Sequence, residues 1–261
     1  MRHRMFFILF FVSLLVIYLI YEAYIYYAPP QTYKPYTITK RNDDTLRIAY
    51  IGDSWANYHT PFDSTMSQMA EAILHIPVKV SSYGICGLTS KEIYEEIFVN
   101  DRMRLFLSRG YDYCFISAGI NDTYKKMSIK YYKESIDNII QFMLANQVTP
   151  IILEIPNYDI EKAYYNQKPS RKLLRRVSMK ITGTPMNCKQ TFRNALDELI
   201  QRKYKNNEIQ VIRYKEWNGH FHTDQDKLYQ EDGMHLNMKG YEALDRCVID
   251  HLYRLLTHKV C

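Results

Sequence analysis

A serine, an aspartate and a histidine with spacing that suits nucleophilic catalysis occur in this sequence. Ser54 follows an apolar run that ends in Gly52 and Asp53, and far along the chain Asp232 and His235 are three residues apart. A serine hydroxyl attacks a carbonyl carbon when a histidine takes its proton and a carboxylate orients that histidine. A spacing of three brings the carboxylate of Asp232 beneath the imidazole of His235, so Nδ1 is held and Nε2 can face Ser54. Taken singly, a glycine turn with a helix cap and a polar surface pair explain these residues equally well.

Two further residues could stabilise the negative charge that acyl transfer develops on the carbonyl oxygen. Gly87, in YGICGLTS, can expose its backbone N–H because it has no side chain, and Asn121, in SAGIND, can present its side-chain amide. Each of them alone is also explained as an ordinary loop residue. However, all of these segments come directly after predicted strands or before the last predicted helix, where a parallel sheet gathers its site.

Strand-like and helix-like patterns alternate along the chain after residue 45. Short apolar runs predict strands at 46–51, 78–82, 113–117, 149–155 and 209–214. Periodic apolar residues and capping signals predict helices at 61–74, 89–98, 128–147, 187–204 and from about 237 to 256. This alternation predicts an α/β fold with a doubly wound parallel sheet that has helices on both faces. Residues 157–186 do not fit the alternation and are predicted to be an insertion.

Read in order, the segments GDS, ICGLTS, GIND and DGMH resemble the four sequence blocks of the SGNH hydrolases, also called the GDSL esterase/lipase superfamily. The resemblance covers nearly the whole chain after the N-terminal segment, and it implies a flavodoxin-like three-layer α/β/α sandwich with a five-stranded parallel sheet. It also implies that Ser54 is the nucleophile, His235 the base and Asp232 the partner of that base. The implied oxyanion donors are the N–H groups of Ser54 and Gly87 and the side chain of Asn121. No metal or organic cofactor is implied.

The sequence departs from the family pattern beside two of these residues. Trp55 follows Ser54 where the family usually has leucine or a similar residue, and Ile120 replaces a glycine that often precedes Asn121. Neither change removes a catalytic group, but both affect the expected shape of the acyl site. We therefore predict that Asp53, Trp55 and Ile120 border the substrate pocket.

The N-terminus has the pattern of a membrane anchor. Arg2, His3 and Arg4 precede an uncharged apolar run from Met5 to Tyr21, which is at the short end of the roughly 17–25 residues that span a bilayer. The arginines favour a cytoplasmic N-terminus, so the rest of the chain is expected outside the cytoplasm. We therefore predict a single-pass membrane protein with an extracytoplasmic catalytic domain.

The chain is predicted to have three parts. Residues 1–28 form a cytoplasmic stub and a transmembrane signal anchor, residues 29–45 form a proline-containing linker, and residues 46–261 form the hydrolase domain. The alternative is a cleaved signal peptide, which would release the domain as a secreted protein. Cleavage is disfavoured because Ala23 and Ala28 each have a tyrosine, not a small residue, two positions earlier.

Cysteines, histidines and overall charge narrow the range of partners. Five cysteines without a CxxC spacing do not support a zinc knuckle or a disulfide framework, although one bridge from Cys188 to Cys247 or Cys261 is considered. His220 and His222 are two residues apart but have no clear acidic or cysteine partner, so no metal site is predicted. The net charge of +6 would suit nucleic acid, but an exported domain rarely meets it, so no nucleic-acid partner is predicted.

A basic segment, KPSRKLLRRVSMK, lies within the predicted insertion. Its cations stand opposite its apolar residues; the cations are Arg171, Lys172, Arg175 and Arg176, and the apolar residues are Leu173, Leu174 and Val177. A solvated helix face is the simplest interpretation of such a charge run. The alternatives are a lid and a patch that docks on anionic lipid or glycan.

The residues and the resemblance lead to one functional expectation. The chain is expected to be a membrane-anchored, extracytoplasmic serine esterase that hydrolyses small acyl esters through an acyl-serine intermediate. The expected substrate is an O-acetyl ester on carbohydrate, such as an acetylated glycan. The alternatives that stay open are a lipase or lysophospholipase, an O-acyltransferase that passes the acyl group to a sugar hydroxyl, and an inactive binding protein.

Overall fold

One sheet of five parallel strands, in the order β2–β1–β3–β4–β5, forms the centre of the described structure. The strands are β1 Leu46–Gly52, β2 Val78–Gly84, β3 Tyr113–Ser117, β4 Thr149–Leu153 and β5 Gln210–Ile212. The structure is a computed structural model, and it describes residues 2–204, 209–219 and 227–258. The candidate metal ligands His220 and His222 and the candidate disulfide partner Cys261 lie outside these residues.

Helices cover both faces of this sheet. The helices of the described residues are α1 Arg2–Tyr27, whose apolar stretch is not buried against the sheet, and α2 Ser54–His59, α3 Asp63–Leu74, α4 Ser90–Val99, α5 Asp101–Leu107, α6 Ile120–Lys125, α7 Ile129–Ala145, α8 Ile160–Tyr165, α9 Pro169–Thr182, α10 Lys189–Lys203, α11 Tyr214–Trp217 and α12 Met238–His258. In one layer α7 packs against α4 and α10, and in another α3 packs against α12. The predicted α/β fold with a five-stranded parallel sheet between helical layers is confirmed.

The central strands are largely apolar where both of their faces are covered. Every residue of β3 is buried, as are the last five residues of β1 and the last four of β4. A strand with helices on both sides has no solvated face, so it reads as a continuous apolar run and not as an alternating one. This is the pattern from which these strands are predicted.

The carboxyl ends of β2, β1 and β3 are level with one another. Gly52, the last residue of β1, pairs with Gly84 of β2 and with Ser117 of β3. The loops that follow these three strands therefore start side by side at one edge of the sheet. Those loops hold the GDS, ICGLTS and GIND segments.

The outer edge of β2 is covered by side chains of α3. Three α3 residues spaced four apart accept hydrogen bonds from alternate backbone N–H groups of the strand. The pairs are Ser82 with Asp63, Val80 with Ser67 and Val78 with Glu71, at 2.8–3.1 Å. An edge strand whose N–H groups are occupied is a poor template for another chain, so this edge is protected from sheet extension.

The segment predicted as a linker, residues 29–45, contains no helix or strand but is partly packed onto the domain. The Tyr33 ring stacks on Phe98 with the ring centroids 5.0 Å apart, and the backbone N–H of Ile38 donates to Asn146 Oδ1 at 2.6 Å. Ile38 is buried. The part of this segment from Tyr33 to Ile38 therefore packs against the domain.

Helix α1 contains the apolar run of the N-terminus. Its stretch His3–Tyr21 has a mean hydropathy of 2.3 and no buried part, and it is the one helix in the described residues that is long and apolar enough to cross a membrane. A signal sequence near the N-terminus also satisfies these criteria of length and composition. The anchor and its orientation therefore remain predictions.

The four described cysteines are free thiols, so the bridge considered between Cys188 and Cys247 is not formed. The thiol of Cys188 lies instead beside Lys126, with Sγ 3.6 Å from Nζ, and it donates to the carbonyl oxygen of Thr123 at 3.4 Å. Cys247 belongs to α12, on a different part of the domain. These contacts leave no disulfide between the two residues.

Candidate active site

Ser54 lies at the first position of α2, directly after the end of β1. Asp53 caps this helix, because its Oδ1 accepts a hydrogen bond from the backbone N–H of Trp55 at 3.0 Å. An acidic cap suits a helix start, where backbone N–H groups lack carbonyl partners and the helix dipole is positive. The side chain of Ser54 therefore sits where partial positive charge collects, and the residue is 7% exposed.

Gly84 allows the end of β2 to touch the start of α2. A Cβ at this position would lie 2.3 Å from the backbone nitrogen of Asn57 and 2.4 Å from the carbonyl oxygen of Asp53. Those contacts are with backbone atoms, which cannot move aside as a flexible side chain can. The absence of a side chain at Gly84 thus brings the loop after β2 next to Ser54.

His235 joins Ser54 to Asp232. Its Nε2 lies 3.0 Å from Ser54 Oγ, and its Nδ1 lies 2.5 Å from Asp232 Oδ2. The other carboxylate oxygen of Asp232 accepts hydrogen bonds from the backbone N–H groups of Met234 and His235, both at 2.9 Å. The structure therefore brings together the three residues that are predicted from their spacing, although Ser54 and His235 are 181 positions apart.

The charge of Asp232 determines how the His235 ring is used. Partial burial pushes the pKa of this carboxyl up, but the hydrogen bonds from the His235 backbone and ring and from the Met234 backbone outweigh it and lower the pKa. An ionised Asp232 accepts a hydrogen bond from the N–H at Nδ1 of His235. Nε2 then carries no proton and can accept the hydrogen bond of the Ser54 hydroxyl. The arrangement thus has the order of groups that a serine nucleophile needs.

The three predicted oxyanion donors follow the ends of β1, β2 and β3: Ser54 starts α2, Gly87 lies in the loop after β2, and Asn121 lies in α6 after β3. Gly87 has a φ of +83°, a conformation that favours glycine, and a Cβ there would meet no atom within 4 Å. Asn121 lies near the start of α6, and its Nδ2 donates to Asp53 Oδ2 at 3.1 Å. Ser54 is the first residue of its helix, so its N–H has no carbonyl partner within α2. These donors follow three strands whose ends are level.

The environment of Asp53 differs from that of Asp232. Burial, helped by the negative charge of Asp122, raises the pKa of Asp53 to about 7, against hydrogen bonds from the Trp55 backbone and the Asn121 amide that lower it. Asp122 is buried as well, and it accepts hydrogen bonds from the backbone and hydroxyl of Ser90 at 2.8 and 2.6 Å. The Asp53 carboxyl thus connects Asn121 to the start of α2, and the Asp122 carboxylate connects the same segment to the start of α4.

The three residues predicted to border a substrate pocket are enclosed by protein. Asp53 and Trp55 have 0% exposure and Ile120 has 3%. The Trp55 ring makes an edge contact with Trp217, with the centroids 5.9 Å apart. This corrects the expectation that they line the acyl site: an apolar side chain after the serine fills the core beneath α2, and Asp53 is occupied as a cap.

Tyr58 was missed as a site residue. Its ring meets the His235 ring edge-on, with the centroids 5.0 Å apart, and the residue is 40% exposed. The sequence does contain a signal for it, because Tyr58 is four residues after Ser54 and a helix places such residues on one face. Tyr58 therefore covers one side of the imidazole.

A groove of about 820 Å³ runs along the end of β2 beside this site. Its lining is mixed: it includes the polar side chains of Asn57, Thr60 and Arg102 and the apolar side chain of Ile85. Cys86, which precedes Gly87, also lines it, and Asn57 Nδ2 lies 3.5 Å from Cys86 Sγ. The groove thus reaches the loop that carries one of the predicted oxyanion donors.

One cluster in the described residues has side chains that could ligate a metal ion: Glu216, Cys247 and His251, whose ligand atoms lie within 4.8 Å of one another. His251 Nε2 is already 2.6 Å from Glu216 Oε2, and the same carboxylate lies 3.8 Å from Arg254. An ion pair accounts for this cluster. Ser54, Asp232 and His235 are not part of this cluster.

The sequence matches no protein-family model and no curated protein. Several solved protein structures, however, have a fold similar to that of this chain. A lipase/acylhydrolase from Enterococcus faecalis has a TM-score of 0.58 at 18% identity, over 80% of this chain and 95% of that one. The lipase Lip_vut3 from a goat rumen metagenome has a TM-score of 0.55 at 15% identity, over 80% and 99%. A GDSL-like lipase from Bacteroides thetaiotaomicron has a TM-score of 0.51 at 14% identity, over 80% and 88%. The chain therefore has the fold of the GDSL, or SGNH, hydrolases, and the resemblance predicted from its four segments is confirmed at the level of the fold.

Proposed function

We propose that this protein is a serine esterase that works through an acyl-serine intermediate. The observation that carries the proposal is the chain of contacts from Ser54 Oγ to His235 Nε2 and from His235 Nδ1 to Asp232, at the start of a helix. The similarity in fold to lipases and acylhydrolases supports the same class of reaction. No step of it requires a metal or an organic cofactor.

The proposed reaction has two halves. In the first, His235 Nε2 takes the proton of the Ser54 hydroxyl while Oγ bonds to the ester carbonyl carbon. The N–H groups of Ser54 and Gly87 and the Asn121 amide stabilise the resulting oxyanion. The carbonyl re-forms as the alcohol leaves with the proton from His235. In the second, His235 activates water, which releases the acid and restores the serine.

For the substrate we propose a small acyl group, above all acetyl, on a carbohydrate hydroxyl. The groove beside the Gly87 loop supports this choice, because Asn57, Thr60 and Arg102 offer hydrogen-bonding groups of the kind that suit a polyhydroxylated alcohol. We further propose that α1 anchors the protein and that the catalytic domain lies outside the cytoplasm, where such glycans occur.

The test is hydrolysis of 4-nitrophenyl acetate by the full chain in mild detergent. The protein should release 4-nitrophenol, and Ser54→Ala should reduce the rate to the level of buffer. Equal rates for the two proteins would contradict the proposal.

A series of esters from acetyl to palmitoyl then separates the substrates. We expect the highest kcat/KM for acetyl, whereas a maximum at long chains would indicate a lipase. Adding a sugar acceptor separates hydrolysis from transfer, since an O-acyltransferase would form more acylated sugar than free acid.

A further inference from the structure

Helix α9 turns apolar side chains towards solvent and contains no acidic residue. Leu173 is 63% exposed and Val177 is 40% exposed. They are four residues apart, so they adjoin on one face of the helix. Arg176 and Lys180, which are both exposed, lie on the same side, so the expectation that Arg176 stands opposite the apolar residues is wrong. The exposed face of α9 therefore combines two apolar side chains with two cations.

The opposite face of α9 is held against the domain by contacts with aromatic rings. The Arg175 guanidinium lies over the Tyr124 ring of α6, 4.8 Å from its centroid. At the helix edge, Arg176 Nε donates to the hydroxyl of Tyr164 at 3.0 Å. An amphipathic helix at a protein surface normally packs its apolar stripe inward. In α9 polar contacts hold the inner face, and Leu173 and Val177 are left outside, so a solvated charge run does not account for this helix.

We propose that the exposed face of α9 docks onto an anionic bilayer surface. Apolar side chains that can enter the boundary of the acyl chains, surrounded by cations that meet anionic head groups, are the features that bind helices flat on membranes. The sequence PSRKLLRRVSMKIT contains basic residues and no acidic ones, so the charge of the helix is complementary to that of anionic head groups. Helix α9 contacts α6, the helix that contains Asn121. Binding of α9 to the bilayer would therefore place the helix next to Asn121 at the membrane surface.

The N-terminal segment makes such contact accessible to the domain. Helix α1 ends at Tyr27, and Tyr33 already stacks on Phe98 of the domain. Residues 28–32 are all that separate the two points, and an extended chain of that length reaches about 20 Å. If α1 spans the bilayer as proposed, the domain stays beside the membrane. This inference rests on the proposed anchor and does not depend on the proposed esterase reaction.

The test compares the full chain in lipid nanodiscs of phosphatidylcholine alone with the full chain in discs that also contain phosphatidylglycerol. Amide hydrogen exchange is measured for peptides that cover residues 168–182. We expect slower exchange of α9 in the anionic discs. Because each cation near an anionic surface contributes a factor of about five in affinity, the variant K180E, which leaves the contact of Arg176 with Tyr164 intact, should lose much of this protection.

The matched control is K79E, which reverses one exposed cation on β2 and changes the net charge equally. It should keep the protection of α9, and exchange in the rest of the chain reports whether each variant is folded. Equal α9 exchange in both kinds of disc would overturn the proposal, as would equal loss of protection in the control. Protection by soluble alginate but not by anionic discs would also overturn it and would indicate a polyanionic glycan instead.

Discussion

Asp232 and Asp53 both lie near Ser54, and their surroundings shift their pKa values in opposite directions. Asp232 receives hydrogen bonds from His235 and Met234 that outweigh its partial burial and lower its pKa, so it stays ionised at neutral pH. Burial raises the pKa of Asp53 to about 7. An ionised carboxylate can orient and stabilise a histidine that gains a proton during the reaction, whereas Asp53 is used to hold the start of α2 and the Asn121 amide.

Replacing Asp232 by asparagine tests the role of its charge. The amide keeps the shape of the side chain but cannot stabilise the protonated ring or select its tautomer, so kcat should fall by about 10³–10⁴ with KM little changed. Steady-state hydrolysis of 4-nitrophenyl acetate measures this. The control is Glu231→Gln, which alters the neighbouring exposed carboxylate and should leave kcat unchanged. A comparable loss in both variants would argue against the assigned role.

Replacing Asn121 by alanine tests the oxyanion donors. Removing one donor from such a site typically costs about 10²–10³ in kcat, because the charge develops only in the transition state. The loss should be smaller than that of Ser54→Ala, since the N–H groups of Ser54 and Gly87 remain. The kcat and KM of the variant measure it, and an unchanged kcat would remove Asn121 from the mechanism.

At the scale of elements, His59 connects the helix of Ser54 to the helix that follows His235. Its ring is buried, with Nε2 3.0 Å from Asp245 of α12 and Nδ1 2.9 Å from Asp63 of α3 and 2.8 Å from the Ser82 hydroxyl of β2. Burial lowers the pKa of His59, but the hydrogen bonds and charges of Asp245 and Asp63 outweigh it and raise the pKa to about 9. A protonated ring can donate to both carboxylates at once.

This network makes a pH-dependent contribution to stability. A histidine whose pKa rises from 6.5 to about 9 on folding stabilises the fold fully below pH 6.5, and the contribution is lost as pH rises to about 9. We therefore expect His59→Gln to lower the free energy of unfolding by on the order of 2–3 kcal/mol more at about pH 6 than at about pH 9.5. Chemical denaturation of the full chain at both pH values measures this.

An exposed histidine is the control for that experiment. His75→Asn, at the end of α3, should give nearly the same unfolding free energy as the unchanged protein at either pH. The assignment of His59 would be wrong if the cost of His59→Gln did not depend on pH.

The elements with a clear apolar pattern could be predicted, and the shortest helices could not. Tyr113–Ser117 is a strand with the predicted bounds, and α7 and α10 lie within their predicted ranges. The helices α5, α6, α8 and α11 are too short for a periodic apolar pattern to stand out, and none of them was predicted as a separate element. Their positions are set by packing at the ends of the longer elements.

At the scale of the whole molecule, the site could be predicted only in outline. The pairing of Asp232 with His235 follows from local spacing, and the loops after successive parallel strands share one edge. Which face of α2 turns inward does not follow from the sequence alone. Trp55 was therefore predicted at a pocket but lies in the core, while Tyr58 on the same helix faces His235. Side-chain direction on a short helix depends on neighbours such as Trp217 and Tyr229, which are distant in sequence.

The proposal that α1 anchors the whole protein in a membrane can be tested by fractionation. The full chain expressed in its natural host should sediment with membranes, resist extraction by alkaline carbonate, and keep its N-terminal peptide in the intact mass, because an apolar helix of this length is stable in a bilayer. A soluble product that lacks the N-terminal residues would contradict the anchor and support the cleaved signal sequence.

The central claim, that Ser54 is the nucleophile of an acyl-enzyme, is tested most directly by covalent labelling. The full chain is treated with a fluorophosphonate, which reacts with activated serines, and the adduct is located by peptide mass spectrometry. We predict one adduct on the peptide that contains Ser54, absent in Ser54→Ala and formed much more slowly in His235→Ala. A folded protein that forms no adduct, or forms it on another residue at the same rate in all three proteins, would contradict the account.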